Sequence, residues 1–284
     1  MNPGLLYATL RRHVRDSITR RPAVLEVLRI LRFLMVQGPW QPLVVRWHQA
    51  FGHHPPFPAT ATSLLDPLDV VAAVRQLDRE AYAPGFQVPE PLVEEIVSFV
   101  RADGRRRLED PHHDCPAVHR IAHDPVLAAV ARGYLGAEPT LTETRINWTL
   151  PLPDERGRVW LTADNGRFHY DLADVKALSV FVYLTDVDPD CGPHVVVRGT
   201  QRRRTPGEIL NRFLDDETVD RRYRDRVHTI LGRRGTGWFE DITTYHKQAI
   251  GTKVRLILAL TYSLSRGERA ERFGQVRKVP ATAA

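Results

Sequence analysis

Cysteine is nearly missing from this chain. Two residues, Cys115 and Cys191, cannot build a disulfide framework, and they are not spaced as a zinc pair. So few thiols fit a reducing, cytoplasmic setting. Lysine is almost as scarce: of 40 basic residues only Lys176, Lys247, Lys253 and Lys278 are lysines, set against 34 acidic residues for a net charge of +6. A surplus carried this heavily by arginine reflects genomic base composition as readily as a basic function, so it is poor support for nucleic-acid binding. Long uninterrupted apolar runs are lacking too. The stretch from Val24 to Val36 is broken by Glu26, Arg29 and Arg32, and is read as neither a secretory core nor a membrane span.

What is present is ordinary for a globular protein, with 43% hydrophobic and 26% charged residues. A chain of 284 residues suffices for one large domain, or a barrel with a helical annex. Residues 5 to 36 read as one or two helices, with Glu26, Arg29 and Arg32 on one stripe and Val24, Leu25, Leu28, Leu31 and Leu34 on the rest. So wide an apolar face needs a partner, either the body of the protein or a second copy, which makes a homodimer through these helices an expectation. Phe51 to Pro58, rich in proline, reads as a linker. Asp66 to Asp69 opens a helix over Val70 to Leu77, and Pro91 opens a second that ends before Gly104. A third runs from Asp124-Pro125 to Tyr134 and stops at Gly136. The expected organisation is an N-terminal helical arm over 1–60 and a domain over 61–284, with a helical layer (61–138) and a β core (139–265).

From Thr140 the texture changes to short β-branched and aromatic runs: Thr140–Leu150, Val159–Thr162, Ala177–Leu184, His194–Arg198, Thr236–Glu240 and Val254–Leu264. Many strands without long helices between them imply a sandwich or closed double sheet, which can hold a ligand in its mouth. Residues 201–234 interrupt the pattern as a polar, helix-prone insertion.

The chemistry concentrates at His169 and Asp171. In an extended segment they are two apart and share a side, so both can reach one small ion. His246, just before the last apolar strand, is a candidate third ligand. Two imidazoles and one carboxylate on one face of an octahedron suit non-haem Fe(II) and oxygen chemistry. Arg255, nine positions further on, is placed to hold the carboxylate of a co-substrate. A second candidate, zinc on His119, His123 and Cys115, lacks a fourth ligand at a characteristic spacing; surface or capping histidines are the preferred reading.

His169 to Asp171, the strand from Ala177 to Val187, Cys191-Gly192-Pro193, Arg198 to Thr200, His246, and Val254 to Tyr262 together resemble the phytanoyl-CoA dioxygenase family of Fe(II)/2-oxoglutarate-dependent oxygenases. The resemblance covers residues 140 to 265, with weaker similarity from Leu77 onward. It implies a double-stranded β-helix core, jelly-roll or cupin-like, mainly β and flanked by helices on its N-terminal side. It also implies that His169, Asp171 and His246 ligate Fe(II), that Arg255 pairs with the distal carboxylate of 2-oxoglutarate, and that molecular oxygen is the second co-substrate. Many relatives have Gly-Ser-His where this chain has Gly199-Thr200-Gln201, and Ser where it has Gln248, so Gln248 is taken as the donor near the co-substrate. Asn147 is a further candidate contact, weighed against an ordinary strand amide. Related halogenases lack the carboxylate that Asp171 supplies, so hydroxylation or another two-electron C–H oxidation is implied.

The expected substrate is a small molecule, with a natural-product or carrier-bound intermediate and an anionic group in view. Arg202, Arg203, Arg221 and Arg233 of the insertion are candidate contacts, read equally well as a solvated surface. Two rivals stand beside this reading: a cupin-like binding module without catalysis, and a nucleic-acid demethylase of the same superfamily, which would carry a second arginine shortly after Arg255. Leucine, isoleucine and alanine follow instead.

Overall fold

The computed structural model describes residues 40–151, 166–171, 174–202, 204–205, 207–208 and 212–265. The helices expected within residues 5–36, with the dimer contact assigned to them, the strand expected at 159–162, and Arg203 lie outside these residues. In chain order the elements are α1 (Gln41–Phe51), α2 (Val70–Glu80), β1 (Tyr82–Gln87), α3 (Glu90–Asp103), β2 (Arg107–Glu109), α4 (Pro116–Ala122), α5 (Pro125–Leu135), β3 (Thr140–Thr149), β4 (Phe168–His169), β5 (Ala177–Tyr183), β6 (His194–Val197), β7 (Phe213–Leu214), α6 (Asp216–Tyr223), β8 (Val227–Ile230), β9 (Thr236–Glu240), β10 (Tyr245–Gln248) and β11 (Arg255–Ser263).

The strands form two antiparallel sheets. One has six strands in the order β1-β9-β5-β11-β3-β2, the other five in the order β7-β4-β10-β6-β8. β11 lies inside the large sheet and is buried along its whole length. Its alternation separates two environments. Leu256, Leu258, Leu260 and Tyr262 face the helices, packing in one core with Val93, Ile96 and Val100 of α3 and Leu127, Val130 and Leu135 of α5. Burial of each such leucine stabilises by about 2 kcal/mol. Ile257 and Ala259 face the other way, toward a second core shared with Phe181, Tyr183 and Trp238 of the large sheet and Val196 and Ile230 of the small one. The outer face of the small sheet, through Phe168, Val195, Val197 and Tyr245, is covered by Val219 of α6.

Local chemistry sets the helix boundaries as expected. Asp69 caps α2 by accepting from the Ala72 amide at 2.9 Å, and α3 and α5 end at Gly104 and Gly136, both at positive φ (73° and 74°) where a side chain would be strained. Three elements depart from the sequence reading. β1, for which no strand was expected, contains Pro84 and Gly85. It is an edge strand whose register shifts between Pro84 and Phe86, and a Cβ on Gly85 would sit 2.3 Å from the Gly237 carbonyl oxygen. The residues 201–234 are not simply a helical insertion, because β8 within them pairs with β6 along its whole length; four residues flanked by arginines are too few to display a period. The stretch after α1 lies against the body, with the Phe57 ring 5.8 Å from that of Tyr262.

Asp124 ties these parts together. Its buried carboxylate accepts from the Val126 amide at the start of α5 (2.8 Å), the Leu64 amide (2.8 Å) and the Ser63 hydroxyl (3.0 Å). Asp124→Ala removes a cap and strands these donors, so it should destabilise the protein by about 2–3 kcal/mol. The check is a lower urea midpoint at unchanged m-value.

Candidate metal centre

β10 pairs with β4 so that His246 stands directly across from His169. Tyr170 then turns outward, its ring 5.3 Å from Tyr245 in the outer core, and Asp171 returns to the inner side. The Asp171 amide donates to the Ile242 carbonyl at 2.8 Å, which fixes that return. One donor atom from each of His169, Asp171 and His246 lies within 4.8 Å of the others, the single such group of three among the described residues. His119 and His123 stack on each other with ring centroids 4.2 Å apart, and Cys115 is a buried free thiol. They gather no third donor, and the zinc alternative finds no support.

Each imidazole is oriented by the backbone. His169 Nδ1 lies 2.9 Å from the Arg167 carbonyl and His246 Nδ1 lies 3.0 Å from that of Thr244, so both rings carry the proton on Nδ1 and leave Nε2 free. Burial, with His169 close by, pushes His246 down to about 4, so it is neutral at neutral pH. Desolvation works to raise the Asp171 carboxyl, but His246, His169, Arg212 and Arg145 outweigh it and hold the group below the ordinary carboxylate range. The centre thus offers a neutral His246 and an ionised Asp171 beside the His169 ring, donors of the kind that bind a divalent cation.

Arg255 opens on the same interior. It is opposite Thr149 in the β11–β3 register, with Nη2 3.4 Å from Thr149 Oγ1 and Cζ 5.8 Å from the Tyr183 ring centroid. Its Nε and Nη1 are buried with no hydrogen-bond partner among the described residues. Burial pushes its pKa down, yet a guanidinium stays charged. Leaving such donors unmet costs on the order of 1–3 kcal/mol, which a bidentate carboxylate would recover. Gln248 sits beside it, its side-chain oxygen 3.3 Å from Thr149 Oγ1. Asn147 is opposite Ile257 and so faces the same interior, but its amide is satisfied on its own strand by Arg145 Nε (3.1 Å) and the Ile146 carbonyl (3.2 Å). Thr200, at the departure from the family pattern, is buried and bonds Thr244 Oγ1 at 2.6 Å, joining the end of β6 to the start of β10.

Four residues of this interior escaped the sequence reading: Thr149, His194, Arg212 and Glu240. Arg212 Nη2 lies 3.7 Å from Asp171 Oδ1, and Glu240 Oε2 lies 2.9 Å from His194 Nε2. Position on the strand was the available signal for two of them. Glu240 shares parity with the inward Trp238, and Thr149 faces Arg255. By contrast, Arg202 and Arg221, candidates for substrate contact, are paired with Asp78 and Glu217 at 3.2 and 3.5 Å.

Two facing antiparallel sheets make a jelly-roll fold, and comparison with solved structures bears out the fold. The chain is similar to EctD from S. alaskensis, solved with 2-oxoglutarate and 5-hydroxyectoine (TM-score 0.50, 20% identity, 74% of this chain and 82% of that one). It is also similar to the epimerase SnoN, solved with Fe3+, alpha-ketoglutarate and nogalamycin RO (TM-score 0.52, 19% identity, 69% and 84%). At the level of sequence it is 31% identical over 110 residues to the ectoine dioxygenase of Sphingopyxis alaskensis, a match covering 38% of this chain and 35% of that protein. The aligned stretch therefore spans about a third of the relative's length. No protein-family model matches.

The His246 pKa near 4 lies below the 6.5 of an unperturbed histidine, so on acidification the unfolded chain takes up this proton before the folded one does. The metal-free protein should lose stability as pH falls from 6.5 toward 4 on this account. His246→Gln removes that component; urea midpoints at about pH 7.5 and about pH 5 should differ less in the variant than in the parent.

Proposed function

We propose that the chain is an Fe(II)/2-oxoglutarate-dependent dioxygenase that hydroxylates, or otherwise oxidises, a small molecule, with a double-stranded β-helix core of the phytanoyl-CoA dioxygenase kind. The observation that carries this reading is Arg255: a buried guanidinium with unmet donors, opening on the interior where His169, Asp171 and His246 converge. The donor set fits Fe(II), since two imidazoles and one carboxylate leave coordination positions for a chelating co-substrate and oxygen. The planar fork of Arg255 fits a dicarboxylate.

When bound, the iron with 2-oxoglutarate and molecular oxygen supplies an oxidant able to attack a C–H bond, with the co-substrate decarboxylated to succinate. The protein contributes position, charge and exclusion of water. His169, Asp171 and His246 hold the metal. Arg255, with Thr149 and Gln248 beside it, orients the distal carboxylate, and Asn147 flanks the same space. The apolar walls from Phe181, Trp238 and Ile257 keep water out. No side chain acts as a general base, so the lack of a Ser-His-Asp arrangement is immaterial. Arg212, 3.7 Å from the Asp171 carboxylate, adds positive charge beside the site, which favours an anionic group on the substrate. The oxygenase domain is assigned to residues 61–284, with residues 1–60 as an arm. A cytoplasmic setting accords with two buried free thiols. Pairing of two copies through residues 5–36 belongs to the same proposal, and sedimentation of the full chain against one lacking residues 1–39 tests it.

Anaerobic titration with Fe(II) and 2-oxoglutarate should produce a visible charge-transfer band, and adding air should yield succinate. Binding without succinate would favour a cupin-like binding module, and a salt-sensitive shift of single-stranded DNA would favour a nucleic-acid demethylase. His169→Ala, Asp171→Ala and His246→Ala should each abolish turnover with the fold retained. Arg255→Ala should instead raise the 2-oxoglutarate concentration required. Normal turnover by a folded Asp171→Ala variant would refute the ligand assignment.

A further inference from the structure

β9 carries a carboxylate where the neighbouring inward positions are apolar. Glu240 is fully buried and stands across from Tyr82 of β1 and Ser179 of β5, on the same face as Trp238. Burying a carboxylate costs several kcal/mol unless its oxygens are well bonded. Here they are: His194 Nε2 lies 2.9 Å from Oε2 and 3.2 Å from Oε1, and Trp238 Nε1 donates to Oε2 at 3.2 Å. Beyond these donors the carboxylate also reaches toward the metal centre. Its Oε1 lies 3.6 Å from His246 Nδ1, on the side of that ring away from Asp171, and the His194 ring stacks on His246 at 20° with centroids 5.4 Å apart.

We propose that Glu240 is a positioning residue for His246. The Thr244 carbonyl takes the Nδ1 proton directly; Glu240 adds a negative charge behind it. That charge stabilises the Nδ1-protonated tautomer and makes Nε2 a stronger donor, as carboxylates behind metal-bound histidines do. Trp238 and His194 hold the carboxylate in place, and the stacked His194 ring limits rotation of His246. The inference rests on the metal-site reading above and adds a residue that the three ligands alone do not require.

Glu240→Gln separates charge from shape. Anaerobic Fe(II) titration of metal-free protein should show Fe(II) affinity weakened about tenfold, with the visible band of the Fe(II)–2-oxoglutarate complex shifted in energy. Glu240→Asp, which keeps the charge, should regain most of the affinity. A Glu240→Gln protein with a lowered melting temperature but unchanged Fe(II) affinity and band position would overturn the proposal, leaving Glu240 as a hydrogen-bonded tie between β9 and β6. Should that variant not fold, Trp238→Phe removes one of the two donors to Oε2 while keeping a ring, which loosens the carboxylate. Weaker Fe(II) binding then supports the role and unchanged binding overturns it. If the parent protein itself binds no Fe(II), the metal site falls and this role with it, an outcome distinct from a parent that binds and a variant that binds equally.

Discussion

The pairing register that sets His246 opposite His169 is the constraint from which the rest of the centre follows. Side chains alternate along a strand, so a slip of one residue in β10 would turn His246 into the outer core and bring Tyr245 inward. That outer core opposes any slip. Tyr245, Phe168, Val195 and Val197 are packed there, and their burial holds the register that points the imidazoles at each other. The meeting of the three candidate ligands is thus specified by hydrophobic packing on the opposite face of the same sheet.

Against that packing stand several buried charges. Arg255 and Glu240 are both removed from water, and neither is the residue that packing alone would select there. The apolar core between the large sheet and the helices, in which β11 contributes Leu256, Leu258 and Leu260, supplies the stability that makes such positions tolerable. One strand thereby serves both purposes. Its even-numbered residues hold the fold together, and its odd-numbered residues begin with the guanidinium that faces the interior.

Much of this was legible in the chain. β11 and β5 read as strands because a strand buried on both faces is a continuous run of branched and aliphatic residues. Helices α2, α3 and α5 were marked by Asp, Pro and Gly at their ends. His169 and Asp171 could be placed on one side from their spacing alone. β1 and β8 were not legible: the first hides a bulge under a Pro-Gly pair, the second is four residues long and lies among arginines. Glu240 offered only its parity with Trp238, and His194 gave no signal, because nothing local tells which partner an inward polar side chain will meet.

The sequence by itself determined the period-two patterns, the helix ends and the kinds of donor available, since these depend on backbone geometry over a few residues. Only the tertiary structure decided which strands face each other across the interior. That choice is set by the register of pairs far apart in the chain, such as Arg255 with Thr149 and His246 with His169, and by the burial that rewards one register over its neighbours. The unmet donors of Arg255 and the carboxylate behind His246 exist only once those sheets have closed, because both are facts about what is missing or near in three dimensions.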